Sequence, residues 1–255
     1  AGTATASVTL AKAIAPADSK EGITNQLSTV AASISKTASE NGKLNAGASA
    51  DIAKLTRSDK LSPKEQDDLK SAHLSDAALL AALDKSAENV KVSTQLDKSD
   101  KSALTDLAIT TGGKAALGTD SGTATYTAKD ITPEKPADGQ LIEVELSLGS
   151  GQQPQQLAVP VLVNLSFNAK NADPSGKFQV VHKHTETDPS KNFTTQYDCR
   201  SVSKSGDTVT VQFLAASFSS FSIQYTAPAS GGSSSSSSAT PKPDEPQPQP
   251  TATPA

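Results

Sequence analysis

The chain has 255 residues, 35% of them hydrophobic and only 4% aromatic, with no Trp, so its core has to be built from Val, Leu, Ile, Ala and a few Phe. A formal net charge of -4 lacks the basic footprint that a phosphate backbone demands, which argues against nucleic acid as a partner. No run of about 18 apolar residues is present to span a bilayer, and the single cysteine, Cys199, has no second cysteine with which to form an internal disulfide.

After a short apolar start at Val8 to Ile14, the N-terminal part reads as helical. Ile23, Leu27, Val30 and Ile34 fall at i, i+4, i+7 and i+11, the spacing that stacks side chains on one helix face. In "LSPKEQDDLKSAHL" Ser62 can cap, Pro63 suits the first helical position and Glu65 completes a capping box. "SDAALLAALDKS" presents Leu79, Leu80 and Leu83 together as a further helix. The count expected is three or four short helices, in a helical region covering 1–118.

From about Thr123 the apolar period changes from 3.6 to 2. Ile142, Val144, Leu146 and Leu148 share one face of "LIEVELSL", and Leu157, Val159, Val161, Val163, Leu165 and Phe167 share one face of "LAVPVLVNLSF". Pro160 cannot donate to a ladder and marks an edge strand or a bulge. Further strands are expected at Phe178–His184, Phe193–Val202, Thr208–Phe213 and Ser217–Tyr225, separated by the turn signals "NADPSG", "TDPS" and "KSGD". Short strands so spaced predict a β-sandwich over 119–228.

The last tract, 229–255, begins "ASGG", runs through six serines in a row (Ser233 to Ser238) and ends "TPKPDEPQPQPTATPA". Ser and Gly carry too little apolar area to offset the entropy of ordering, and the prolines favour extended polyproline II. At ~3.1 Å per residue, the 16 residues from Thr240 would reach roughly 50 Å. The fold class expected is therefore α+β: a short-helix region, an antiparallel β-sandwich in a second unit, and a disordered Ser/Pro-rich linker. The absence of Met and of an opening signal peptide points to a processed protein or a fragment.

The strands at Pro160 to Val163, Val180 to His182 and Gly206 to Ile223 resemble the C-terminal all-β stalk module of Gram-positive extracellular or cell-wall-anchored surface proteins, of the type found in gut Firmicutes and Actinobacteria. The likeness covers Leu141 to Tyr225. It implies an extracellular, cell-surface or cell-wall location and a Ser/Thr/Pro-rich linker running toward an anchor. The linker is present; no LPxTG-type signal or hydrophobic tail follows it, so attachment to the cell wall is only implied.

The chemical candidates are few. His182 and His184 lie at i and i+2, on one strand face, and with Glu186 or Asp188 could ligate zinc, but a third ligand at fixed geometry is not evident and solvated histidines are the plainer reading. Cys199 could pair with a histidine as a thiolate, yet a small packed hydrophobe fits its alternating segment better. Ser219 and Ser222 each follow a Phe. Autoproteolytic β domains that cleave before serine in an H-F-S setting use that histidine as base, and here Ser217 and Ser220 stand in its place. Lysine–asparagine isopeptide crosslinks occur in surface domains of this type, but nothing in the sequence places a buried triad. "TTGG" and "GTDSG", near Gly112 to Gly122, lack phosphate-loop spacing and read as a hinge between helical and β parts. The expectation is a non-catalytic structural or stalk segment that spaces or displays an upstream domain, with no catalytic or metal residues and no cofactor. The alternatives are a host- or glycan-binding adhesin module, made weaker by the lack of Trp platforms, and the accessory part of an exported hydrolase.

Overall fold

The computed structural model of the chain describes residues 7–8, 17–40, 43–149 and 155–228. In chain order these form β1 (Ser7–Val8), α1 (Lys20–Ser39), β2 (Lys43–Leu44), α2 (Ala48–Thr56), α3 (Pro63–His73) and α4 (Ala77–Ser86). Strands follow: β3 (Asn89–Asp97), β4 (Leu104–Ile109), β5 (Ser121–Asp130), β6 (Gln140–Leu148), β7 (Gln155–Asn168) and β8 (Lys177–His184). The last four are β9 (Phe193–Asp198), β10 (Ser201–Ser205), β11 (Thr208–Phe218) and β12 (Ser220–Thr226). The tract 229–255 and most of the apolar start at Val8 to Ile14 lie outside the described residues; Ser7–Val8 pairs in parallel with Lys43–Leu44.

The fold is α+β with a β-sandwich-like layout. One sheet has the order β10-β11-β7-β4 and the other β3-β5-β6-β12-β8-β9. Within them only β3 and β5 pair in parallel. Buried side chains of both sheets, among them Val161, Phe167, Phe213, Val144, Val180 and Ile223, fill the space between them.

Each expected helix forms for the expected reason. Ile23, Leu27, Val30 and Ile34 are fully buried along α1, which Ser19 caps by accepting from Gly22 N. Ser62 and Glu65 close the capping box of α3, and Asp76 caps α4 through Leu79 N. The helices lie on the outer face of the smaller sheet, α2, α3 and α4 against β7 and α3 also against β11. One hydrophobic cluster runs from Ile23 to Ile223, so the helices share their core with the sheets instead of forming a separate unit.

Four expectations change. Residues 89–97 and 104–109, read with the helical region 1–118, are strands of the two sheets, and the last α-helix ends at Ser86. β7 is an interior strand buried on both faces, because helices cover the side that alternation assigned to solvent; Pro160 falls in the register shift opposite Ala215 and Ser217, a bulge and not an edge. The single strand expected over Phe193–Val202 is two strands in different sheets. Cys199 N donates to Phe178 O in one sheet, and the next residue's N, Arg200, donates to Gln212 O in the other. The glycine-rich segment at Gly112 to Gly122 joins β4 to β5 and is no hinge. Asp84 of α4 accepts from the backbone N–H groups of Gly112, Lys114 and Ala115, so the anion held by that turn is the protein's own carboxylate.

Candidate functional site

Most of the polar side chains that the fold buries gather beneath α3, where β11 ends and the chain crosses from the smaller sheet into the larger. The capping box sets the start of α3, and from there the periodicity turns Gln66, Asp67 and Lys70 inward on one face. Its inward stripe is polar where a packed helix normally shows leucines.

Lys70 has no exposed surface. Its Nζ donates to Leu157 O at 2.7 Å, Gln156 Oε1 at 3.0 Å and Ala216 O at 3.2 Å, tying the helix to β7 and β11. Those three acceptors suit the three protons of an ammonium group, and no asparagine is among them. Burial nevertheless pulls its pKa down to about 7, against the opposing attraction of Asp67. Asp67 receives a hydrogen bond from Ser217 Oγ at 2.8 Å; burial pushes its carboxyl above the ordinary range, and Oδ1 is buried without a partner.

β8 contributes His182 and His184 to the same region. Both are buried, 4% and 1% exposed, contrary to the solvated histidines expected from sequence. His182 stacks on Phe221 at 4.3 Å with its ring nearly parallel, places Nε2 3.0 Å from Ser219 Oγ, and turns Nδ1 toward Asp67 Oδ2 at 3.8 Å. Burial first, and the neighbouring His184 second, lower its pKa to about 3. His184 stacks on Phe193 and pairs through Nε2 with Glu186 Oε1 at 3.0 Å. Of the four groups considered for zinc, His184 and Glu186 pair with each other, His182 faces Ser219 and Asp188 accepts from Ser190. Among the described residues no three His, Cys, Asp or Glu side chains converge on one point.

Cys199 sits at the β9–β10 corner, half-buried. Burial, then Asp198, pushes its thiol up to about 12, far from a thiolate nucleophile at neutral pH. Beside the cluster, between α3 and β9, opens a cavity of about 400 Å³ lined by Asp67, Asp68, His182, Tyr197 and Arg200 among others. Tyr197 donates to Leu214 O at 2.7 Å and Arg200 Nη2 to Ser75 O at 3.0 Å, so its rim is held by bonds within the chain.

Sequence reading put His182 and His184 on one strand face but kept Ser219 apart from them, and it missed Asp67 and Lys70 altogether. One signal was available: α3 has a complete capping box and almost no apolar stripe, and such a helix must bury polar groups. Comparison with family models, curated proteins and solved structures returned no match.

Proposed function

We propose that this chain is a non-catalytic structural or stalk segment of a bacterial cell-surface or secreted protein, spacing or displaying a functional domain upstream. The observation that carries the reading is the position of β12. The last strand before the Ser/Pro-rich tract lies inside the larger sheet, paired antiparallel with β6 on one side and β8 on the other. Tension arriving through that tract loads β12 along its length, and two ladders of backbone hydrogen bonds share the shear. An edge strand would peel from one ladder, bond by bond. The resemblance of the strand pattern to Gram-positive stalk modules, and the polar composition of 229–255, support the same reading, with the cell wall as the implied partner.

The test is to pull the folded chain between its N-terminal side and a tether beyond residue 228, one molecule at a time. A stalk gives a single high-force rupture; release at the low forces typical of helical bundles would remove the mechanical argument. Labelling of intact cells with an antibody to the β region checks the location. The cavity between α3 and β9, with its carboxylates, Tyr197 and Arg200, favours one second reading, a ligand-binding adhesin or glycan-binding module. Saturable binding on a glycan array, lost on filling that cavity by Ser71→Trp, would decide for it.

A further inference from the structure

Ser219 alone connects β11 in one sheet to β12 in the other. It is 6% exposed, and the aromatic rings near it are fixed: Phe218 packs edge-on to Tyr126 at 5.8 Å, and Phe221 lies under His182. The peptide bond between Phe218 and Ser219 is thereby held at a corner, with a histidine nitrogen 3.0 Å from the serine oxygen.

A serine hydroxyl turned gauche to its own nitrogen can attack the carbonyl carbon of the residue before it, because that attack closes a five-membered ring. It needs a base to take its proton. Ser219 Oγ has two acceptors in range, Lys183 O at 2.6 Å and His182 Nε2. When the hydroxyl turns from the first to the second, the imidazole carries its proton on Nδ1, facing Asp67 Oδ2. Burial keeps His182 neutral at physiological pH but also makes it a weak base, so the imidazolium formed in the step has to be held by the Asp67 carboxyl facing Nδ1. The hydroxyl is not part of the lining of the neighbouring cavity, whereas His182 is. His182, in the wall of that cavity, is the point at which water can reach the pair.

We propose that the chain cleaves itself between Phe218 and Ser219, with Ser219 Oγ as nucleophile and His182 Nε2 as the proton carrier. Oγ attacks the Phe218 carbonyl carbon and its proton passes to Nε2. The bond from that carbon to Ser219 N then breaks, and Nε2 returns the proton to the departing nitrogen. An ester now links the Phe218 acyl group to Ser219 Oγ, and Ser219 N is a free amine. Water hydrolyses the ester, leaving a carboxylate on Phe218 and restoring the hydroxyl. One water is consumed for one peptide bond, and no outside substrate is turned over. The piece beginning at Ser219 contains all of β12 and stays between β6 and β8 through its ladders. This inference does not rest on the stalk reading; a chain that splits here still stands or fails as a stalk by its ladders.

The whole chain, purified with a tag at each end, is incubated near pH 7.5 with and without hydroxylamine, which intercepts esters, and followed by denaturing gel and intact mass. Two fragments are expected, the smaller with the N-terminal sequence Ser-Ser-Phe-Ser-Ile, and hydroxylamine is expected to hasten their appearance and leave a hydroxamate on Phe218. Ser219→Ala should stay whole, Ser219→Cys should still split, and His182→Gln should slow cleavage by about 100-fold or more. Because His182→Gln could also loosen the fold, the Ala and Cys variants at 219 decide the matter alone. A folded chain that keeps its full mass in hydroxylamine overturns the proposal, and so does cleavage at this bond in Ser219→Ala.

Discussion

A buried ammonium costs several kcal/mol of desolvation, and at Lys70 the return is three oxygen acceptors and a nearby carboxylate. Lys70→Met keeps most of the volume and removes the donor, leaving Leu157 O, Ala216 O and Gln156 Oε1 without it. We expect a loss of about 3 kcal/mol, read from the denaturant midpoint. The pH dependence gives a second check. Because the folded pKa is pulled down to about 7 from 10.5, the unfolded chain holds a proton between those values that the folded one has released. The contribution of Lys70 to stability therefore rises with pH across that window, and Lys70→Met should flatten the rise. His182 works on the acid side. With its pKa lowered to about 3 from 6.5, the unfolded chain takes up a proton below pH 6.5 that the folded chain refuses, so stability falls as the pH drops toward 3, by up to about 1.4 kcal/mol per unit. Asp67, with its carboxyl raised, has the opposite slope in acid. Comparing thermal midpoints at pH 7 and pH 4 isolates the histidine: His182→Gln should lose less on acidification than the native chain does.

Among the elements, legibility followed local cause. α1, α3 and α4 could be read because caps and apolar spacing are written in adjacent residues, and β6 because its two faces meet different surroundings. α2 could not. It starts at Gly47, in the left-handed region with φ 85°, without a side-chain cap. β3 escaped for another reason: it is an edge strand with little beside Val90 fully buried, so no alternation marks it. The breaks at Cys199–Arg200 and at Ser219 are set by which distant strand each residue meets, and no local pattern announces them. The candidate site was illegible for the same reason, since Asp67, His182 and Ser219 come from three elements far apart in sequence. Gly112 shows how tertiary contact fixes a residue that sequence read only as loose. Its φ is 80°, and a Cβ there would collide with the carbonyl oxygen of Pro160 at the β7 bulge. Gly112→Ala should therefore cost about 2 kcal/mol or more in chemical denaturation, from the left-handed backbone and the displaced strand together. An unchanged midpoint would mean that the turn is not pressed against β7.

At the scale of the molecule, the question is whether helices and sheets melt together. β7 shows only one apolar face to the opposite sheet; its other side, with Ala158 and Leu162 at 0% and 3% exposed, is dry because helices lie on it. Stripped of α2 and α3, that side would become an apolar patch in water, and Lys70 could no longer bind carbonyls of two strands. Ile52, Leu55 and Leu74 of the helical part belong to the same buried cluster as the strands' side chains. Each part thus lacks a complete core without the other, and a single cooperative transition follows. The chain provides its own probes: with no Trp, the near-ultraviolet signal comes from its three tyrosines, each in a strand, while the helices dominate circular dichroism at 222 nm. The two signals should trace one curve in urea. Loss of helix at lower urea than loss of the tyrosine signal would show that the sheets stand without their cover. In that case the buried cluster under α3 would be a docking contact, and the acid sensitivity assigned to His182 should disappear at the urea concentration where the helices are already gone.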